Sequence, residues 1–331
     1  MGSTGRTAKG LRPDKAPHSV RGYLFIASAG LCWAVSATLG RAVFTGQLLS
    51  GAVRPIDPLI LSQSRATISF LLLAPVLLAG RGTKAFCMDR GDAVRSFALG
   101  VLGMAGSNYF YYLAIQRTNV AMAITLQYTA PILVLLYMVL RGRQRATLGR
   151  VGSVVLAVLG IAVAIGLIGS GKFRLDTLGL VAAEVAALSF AYYNIAGSSL
   201  LERYDRWRLL ALVLLASSLF WQVVNPPWKI GAAHYGGVQW LFLLIFAMTS
   251  VLAPYSFYFA GLQYLDATRA IVTSCLEPVF SIAVAAIVLG EQVRPLQIAG
   301  IAAVLIATVT VQLPERATSA AARQEETVAS A

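Results

Sequence analysis

The chain has 331 residues, of which 57% are hydrophobic and only 12% charged. Soluble domains carry about a quarter charged residues, so this composition excludes an ordinary soluble protein and points to a bilayer. A net charge of +13 would suit nucleic acid if the basic residues formed one soluble patch; they fall in short clusters between apolar runs instead, which removes nucleic acid as a partner.

Residues 1–20 are polar and basic and contain Gly and Pro, and they are expected to be a disordered cytoplasmic N-terminus. Ten apolar runs follow, each long enough to cross about 30 Å of hydrocarbon. They are 22–45, 57–79, 94–115, 119–140, 147–169, 176–199, 207–225, 237–260, 267–290 and 295–313. The first run can span by itself, so it reads as a retained helix and not as a cleaved signal peptide. The connecting segments are short, which makes consecutive helices antiparallel neighbours. Residues 314–331 are expected to be a disordered cytoplasmic tail.

Charge placement sets the orientation. With both termini in the cytoplasm, the inner segments hold Arg6, Lys9, Arg12, Lys15 and Arg21, then Arg81, Lys84, Arg90 and Arg95, then Arg141, Arg143, Arg145 and Arg150. Arg203, Arg206 and Arg208, then Arg269, and finally Arg316 and Arg323 complete that side. The outer loops hold Arg54, Arg117, Lys172, Arg174, Lys229 and Arg294. This bias is the positive-inside pattern of a multi-pass protein of the cell membrane.

The two histidines, His18 and His234, lie outside the apolar runs, and Cys32, Cys87 and Cys275 are far apart. No metal spacing and no cofactor motif emerges. Gly166-Leu-Ile-Gly-Ser-Gly171-Lys172 matches the first part of a phosphate-binding loop, but Phe173 stands where Ser or Thr is required, and no strand precedes it.

The second half repeats the first. With Pro278 on Pro131, Gln263 falls on Gln116, Asp266 on Asn119, Ala270 on Ala123 and Ile271 on Ile124. A one-residue gap then puts Gly290 on Gly142, Gln292 on Gln144, Leu296 on Leu148 and Gly300 on Gly152. In the first helices Gly179 falls on Gly22, Phe190 on Trp33, Ala191 on Ala34 and Gly197 on Gly40. Five helices per repeat is an odd number, so the repeats, 21–170 and 175–313, would be inverted in the membrane. Inverted repeats are a device of secondary transporters, with the substrate site at the repeat interface.

Gly30-Leu-Cys-Trp33 through Gly40-Arg41, Ser64-Arg65-Ala66, Ala123 through Pro131, and Leu276-Glu-Pro278 followed by Leu289-Gly-Glu291 carry a further resemblance. Over residues 20–313 the chain resembles the drug/metabolite transporter superfamily, in particular its EamA-type members. The resemblance implies an all-helical fold of ten membrane helices in two inverted five-helix repeats, with the first four helices of each repeat lining a pathway. It also favours export. One departure is Arg141-Gly-Arg143, where the family pattern favours an acidic residue after the glycine.

Polar residues inside apolar runs are functional candidates because each is costly in hydrocarbon. Arg65 shares a helical stripe with Ser62 and Ser69; it reads either as a cation for a substrate carboxylate or phosphate, or as half of a structural ion pair. Glu184, at a matching depth, reads as its partner or as a proton carrier. Glu277 lies on a stripe with Thr273, Ser274 and Ser281 and is followed by Pro278; it lines the pathway, pairs two helices or carries the coupled proton. Asn108, Gln127 and Asn194 join the candidate pathway, with Trp33, Tyr112 and Tyr258 among several aromatics. Tyr111, Tyr128, Tyr192, Tyr193 and Tyr255 surround these positions. Trp33 also has a plain packing role open to it, and the tyrosines an interfacial one. Pro131 and Pro278 are candidate helix breaks or hinges, whereas Gly100, Gly103 and Gly106 read as packing surfaces.

The reading is a secondary transporter of small polar metabolites such as amino acids, with a small-molecule substrate, the lipid bilayer as its setting and a homodimer left open. The alternatives are a nucleotide-sugar or phosphorylated-sugar exchanger, and, in other classes, a membrane-embedded enzyme or a non-transporting membrane partner.

Overall fold

The structure is a computed structural model that describes residues 20–44, 56–118, 120–167, 176–289 and 294–311. The expectations for residues 1–19 and 314–331, and those resting on Arg54, Asn119, Lys172, Arg174 and the Gly290-Glu291 pair, lie outside the described residues.

Every regular element among the described residues is helical. In chain order they are α1 Val20–Phe44, α2 Pro58–Arg81, α3 Arg90–Ala98, α4 Gly106–Arg117, α5 Val120–Gln127, α6 Ala130–Leu140 and α7 Leu148–Ala164. The second half holds α8 Thr177–Leu201, α9 Arg206–Val224, the short α10 Trp228–Ala232, α11 Gly237–Ala247, α12 Ala253–Leu262, α13 Ala267–Ser274, α14 Leu276–Leu289 and α15 Pro295–Thr310. A π-helical stretch, Leu99–Ala105, joins α3 to α4, and another, Met248–Leu252, joins α11 to α12.

Among the described residues, seven helical stretches are long and apolar enough to cross a membrane: Val20–Leu39, Leu59–Phe86, Met122–Leu140, Thr177–Leu201, Arg206–Val224, Gly237–Leu262 and Ala267–Val288. Three of the ten expected runs are not among them. α7 and α15 are apolar but have 17 and 16 residues, which gives about 25 Å at 1.5 Å per residue. The rod formed by α3, its π stretch and α4 opens with Arg90, Asp92 and Arg95.

Local chemistry starts and stops these helices. Asp57 caps α2, accepting from the Leu59 and Ile60 amides at 2.8 and 3.1 Å. Asp205 does the same for α9, and Asp176 and Asp266 cap α8 and α13. A carboxylate there satisfies orphan amides and meets the positive end of the helix dipole. At the other end, α6 closes on Gly142 at φ 62°. Its amide donates to Val139 (2.9 Å) while the Arg143 amide donates to Met138 (2.9 Å), the paired bonds of a Schellman turn. Gly166, at φ 77°, closes α7 in the same way, so it serves as a helix stop and not as the opening of a phosphate loop.

The packing follows one rule when the halves are exchanged. α1 packs on α12, and α8 packs on α4. α1 packs on α13 and α14, and α8 packs on α5 and α6. α2 meets α9 and the second π stretch, while α9 meets α2 and the first; α7 and α15 pack on each other. Matched glycines make two of these contacts. A Cβ on Gly22 would meet Leu265 at 2.8 Å and Tyr264 at 2.9 Å, and one on Gly179 would meet Thr118 at 2.6 Å and Arg117 at 2.7 Å. Gly100 sits against Val213 and Ala216 of α9, and Gly103 against Tyr193 of α8, consistent with their reading as packing surfaces.

Candidate functional site

The polar groups converge where the two halves meet. Arg65, on α2, is buried, and its Nη2 donates to Asn108 Oδ1 on α4 at 2.5 Å. Its guanidinium also lies over the Tyr112 ring, 5.4 Å from the centroid, a cation–π contact strengthened by removal from water. Asn108 is fixed in turn, its amide donating to the Met104 carbonyl at 2.6 Å. That carbonyl belongs to the first π stretch, where the shift to i→i+5 bonding disturbs the regular ladder and leaves backbone groups for side chains.

The second π stretch does the same for Trp33. The indole Nε1 donates to the Ser250 carbonyl at 3.1 Å. Its ring stands edge-on to Tyr255 at 5.4 Å and tilted against Tyr258 at 5.7 Å. Tyr258 is fully buried and its hydroxyl donates to Asn194 Oδ1, while Asn194 donates to the Phe190 carbonyl at 2.9 Å. Tyr255 lies beside the Arg65–Asn108 pair and within electrostatic range of Tyr112 and Glu277. Cation, amide and aromatic groups from α1, α2, α4, α8 and α12 thus form one cluster.

Glu277 enters from α14. The helix expected across 267–290 is interrupted at Cys275, and the one across 119–140 at Tyr128 and Thr129. Tyr128, at the first interruption, donates its hydroxyl to Glu277 Oε2, next to the second, at 2.8 Å. One hydrogen bond therefore ties the two interruptions together across the halves. Pro131 and Pro278 follow the interruptions within the first turns of α6 and α14, where a missing amide costs little. α1 passes close behind, a Cβ on Gly30 falling 3.5 Å from the Glu277 backbone.

The rest of the expected polar stripe is occupied differently. Thr273 and Ser274 are buried and donate to carbonyls of their own helix, Arg269 and Ile271, both at 2.7 Å. Gln127 Nε2 donates to Ser107 Oγ at 3.0 Å, joining α5 to α4. Glu184 meets Thr129 Oγ1 at 3.4 Å, beside the first interruption. Arg65 and Glu184 therefore have separate partners, and no ion pair joins them among the described residues.

Some groups were not legible from the sequence. Between α2 and α9, Asn225 donates to Gln63 (2.6 Å), Gln63 to Gln222 (2.6 Å) and Gln222 to Thr67 (3.0 Å), with Thr67 2.9 Å from Ser218. These amides and hydroxyls act as interhelical glue. The spacing of Gln63 from Thr67, and of Ser218 from Gln222, puts each pair on one helix face and is the available signal. The partnership of Tyr128 with Glu277 had no such signal. Among the described residues, no group of three or more His, Cys, Asp or Glu could hold a metal.

The pattern of the EamA-like transporter family matches residues 20–166 and again residues 177–313. The chain belongs to the EamA-like transporter family. Within the drug/metabolite transporter superfamily it is a multi-pass integral membrane transporter. This EamA-like chain is 28% identical over 212 residues to the threonine/homoserine exporter RhtA of Escherichia coli, covering 62% of this chain and 67% of RhtA. It is 23% identical over 244 residues to the inner membrane transporter YicL of Salmonella typhimurium, covering 70% and 80%. A transporter of Archaeoglobus fulgidus is 25% identical over 276 residues, covering 82% and 94%. A crystal structure 19% identical in sequence matches the fold with a TM-score of 0.70 over 87% of this chain and 96% of the other.

Proposed function

We propose that this EamA-like chain exports small polar metabolites carrying both a carboxylate and an amine, such as amino acids. It works by alternating access, two inverted five-helix repeats (residues 21–170 and 175–313) rocking around a shared site, with ten spans and both termini in the cytoplasm of the cell membrane. The observation that carries this reading is the pairing of Arg65 with Asn108 and Tyr112 and of Glu277 with Tyr128, with Tyr255 in electrostatic range of both charges. A guanidinium suits a carboxylate, a carboxylate suits an ammonium, and the Trp33, Tyr255 and Tyr258 faces cover the substrate's carbon skeleton. The exchange symmetry of the helix contacts supports the repeat, and the similarity to RhtA, a threonine/homoserine exporter, supports amino-acid export.

The sequence has no complete ATP-binding motif, so the energy comes from a gradient or from exchange. Glu277 is the better proton-carrying candidate because it bridges the two helix interruptions, whereas Glu184 touches one of them. Pro131 and Pro278 then mark flex points of the moving halves. A phosphorylated-sugar exchanger would call for several cations at the centre, and among the described residues the cluster holds one, Arg65. The reading needs no second copy of the chain and no enzymatic group.

The test is purified protein in liposomes, assayed with a panel of amino acids and sugar phosphates at two pH values, together with Glu277→Gln and Glu184→Gln. Movement of an amino acid, with pH dependence lost in Glu277→Gln and kept in Glu184→Gln, is the expected result. No movement of any zwitterion, with or without a pH gradient, would sink the proposal.

A further inference from the structure

Away from the central cluster a cavity of about 790 Å³ opens between α6 and α8, beside α3. Leu133, Leu136 and Leu140 form one wall and Leu188 and Ile195 face them. Leu136, Leu140 and Leu188 are 52%, 76% and 55% exposed, so the groove opens sideways toward the lipid-facing surface. None of Trp33, Arg65, Asn108 or Glu277 lines it.

One end of the groove is basic. Arg95, Arg143 and Arg203 line it with a single acid, Asp92. Asp92 accepts from Arg95 at 3.2 Å and from Arg203 at 3.1 Å, yet those two side chains stay 66% and 64% exposed. Each guanidinium has five N–H donors, so most of them point elsewhere. Arg143 is set at the mouth by the Schellman turn at Gly142, and Arg141 lies over the ring of Tyr137, another wall residue, 5.5 Å from its centroid. This is the Arg-Gly-Arg loop that departs from the family's acidic preference.

We infer that an anionic phospholipid of the cytoplasmic leaflet seats in this groove, an acyl chain against the leucines and its phosphate at Arg143, Arg203 and Arg95. Two features select this occupant. A leucine-walled cleft open to hydrocarbon offers a polar metabolite nothing, and it matches an acyl chain. The excess of arginine at its inner end matches a negative headgroup, as basic pockets between membrane helices do on that side. α6 and α8 belong to different halves, so the lipid bridges a joint that alternating access must open. Only the choice of leaflet rests on the orientation proposed above; the binding itself needs no transport.

The experiment is native mass spectrometry of the full chain in detergent, titrated with phosphatidylglycerol or with phosphatidylcholine of matched chains. Phosphatidylglycerol should be retained in preference. Arg143→Gln, which leaves both Asp92 contacts intact, should weaken it roughly fivefold, the loss of one arginine near the surface. Arg145→Gln, on the same loop but outside the groove, should change nothing, and Ala196→Trp should displace the lipid by filling the cleft. Equal retention of the two lipids would overturn the inference, as would unchanged phosphatidylglycerol binding in Arg143→Gln or in Ala196→Trp. Selective lipid binding by a protein that moves no metabolite would count against the transport reading and leave this one standing.

Discussion

The bond from Tyr128 to Glu277 joins two broken helices, and its worth can be measured without knowing the substrate. Tyr128 is 6% exposed and donates at 2.8 Å. Tyr128→Phe removes one hydroxyl and keeps the ring, so packing against Val154 and Cys275 in the same apolar cluster survives. A hydrogen bond to an ionised group is worth about 1.5–3 kcal/mol, and one between neutral groups about 0.5–1.5 kcal/mol. Tyr128→Phe should therefore cost more in the wild-type background than in Glu277→Gln, where the acceptor is a neutral amide. The coupling between the two changes should be about 1 kcal/mol, and contacting residues show couplings of that order. Thermal unfolding of the full chain in detergent, with wild type, both single variants and the double variant, gives all four corners of the cycle. A wild-type cost above about 1.5 kcal/mol would also mark Glu277 as ionised in the resting protein. Strictly additive shifts in the double variant would mean that Tyr128 bonds Glu277 no more strongly than a neutral amide; a Tyr128→Phe cost near zero in the wild-type background would refute the bond and, with it, the idea that the interruptions are tied across the halves.

Other expectations follow from the same contacts. Arg65→Lys keeps the charge but loses the planar fork that meets Asn108 and lies over Tyr112; KM for a carboxylate-bearing substrate should rise about tenfold in liposome uptake. An unchanged KM would remove Arg65 from the binding role. Gly300 of α15 has no room for a side chain, a Cβ falling 2.3 Å from the Ala164 amide nitrogen and 2.6 Å from the Gly160 carbonyl. Gly300→Val should lower thermal stability by an overpacking cost of about 1–3 kcal/mol or more. Gly152→Ala, whose Cβ meets nothing within 4 Å, should be tolerated in the same assay. Outside the spanning segments, burial works against ionising Asp92, but hydrogen bonds from Arg203 and Tyr204 and the charges of Arg203 and Arg95 outweigh it and hold the carboxyl below its ordinary range. A depressed folded value means that the stabilisation is present above the unfolded pKa of about 3.9 and lost as pH falls through the folded one. The unfolding temperature should therefore drop on the acid side, and Asp92→Asn should flatten that part of the curve.

Much of this protein is written in one dimension. Apolar length reveals bilayer helices because hydrocarbon offers the backbone no hydrogen-bond partners, and that signal marked α1, α2, α8 and α9 to within a few residues. The match of Gly22 with Gly179 survives into the fold as two equivalent close approaches, to Tyr264 and Leu265 and to Arg117 and Thr118. Composition also marked Arg65, Glu184 and Glu277 as residues needing a partner, since each is expensive in hydrocarbon.

The partners themselves were decided only by tertiary structure. Arg65 found Asn108 and Tyr112, and Glu184 found Thr129, although equal depth along two helices had left an Arg65–Glu184 pair open. Depth follows from residue count, whereas azimuth depends on how each helix turns against its neighbours. The π stretches at Leu99–Ala105 and Met248–Leu252 shift that azimuth within a single rod and turn the Met104 and Ser250 carbonyls to Asn108 and Trp33. The interruptions at Tyr128–Thr129 and Cys275 likewise bring Tyr128 to Glu277 over a sequence separation of 149 residues. The sequence by itself determined that this chain lives in a membrane as two related halves; the rotation of each helix, set by packing across those halves, decided which polar groups meet.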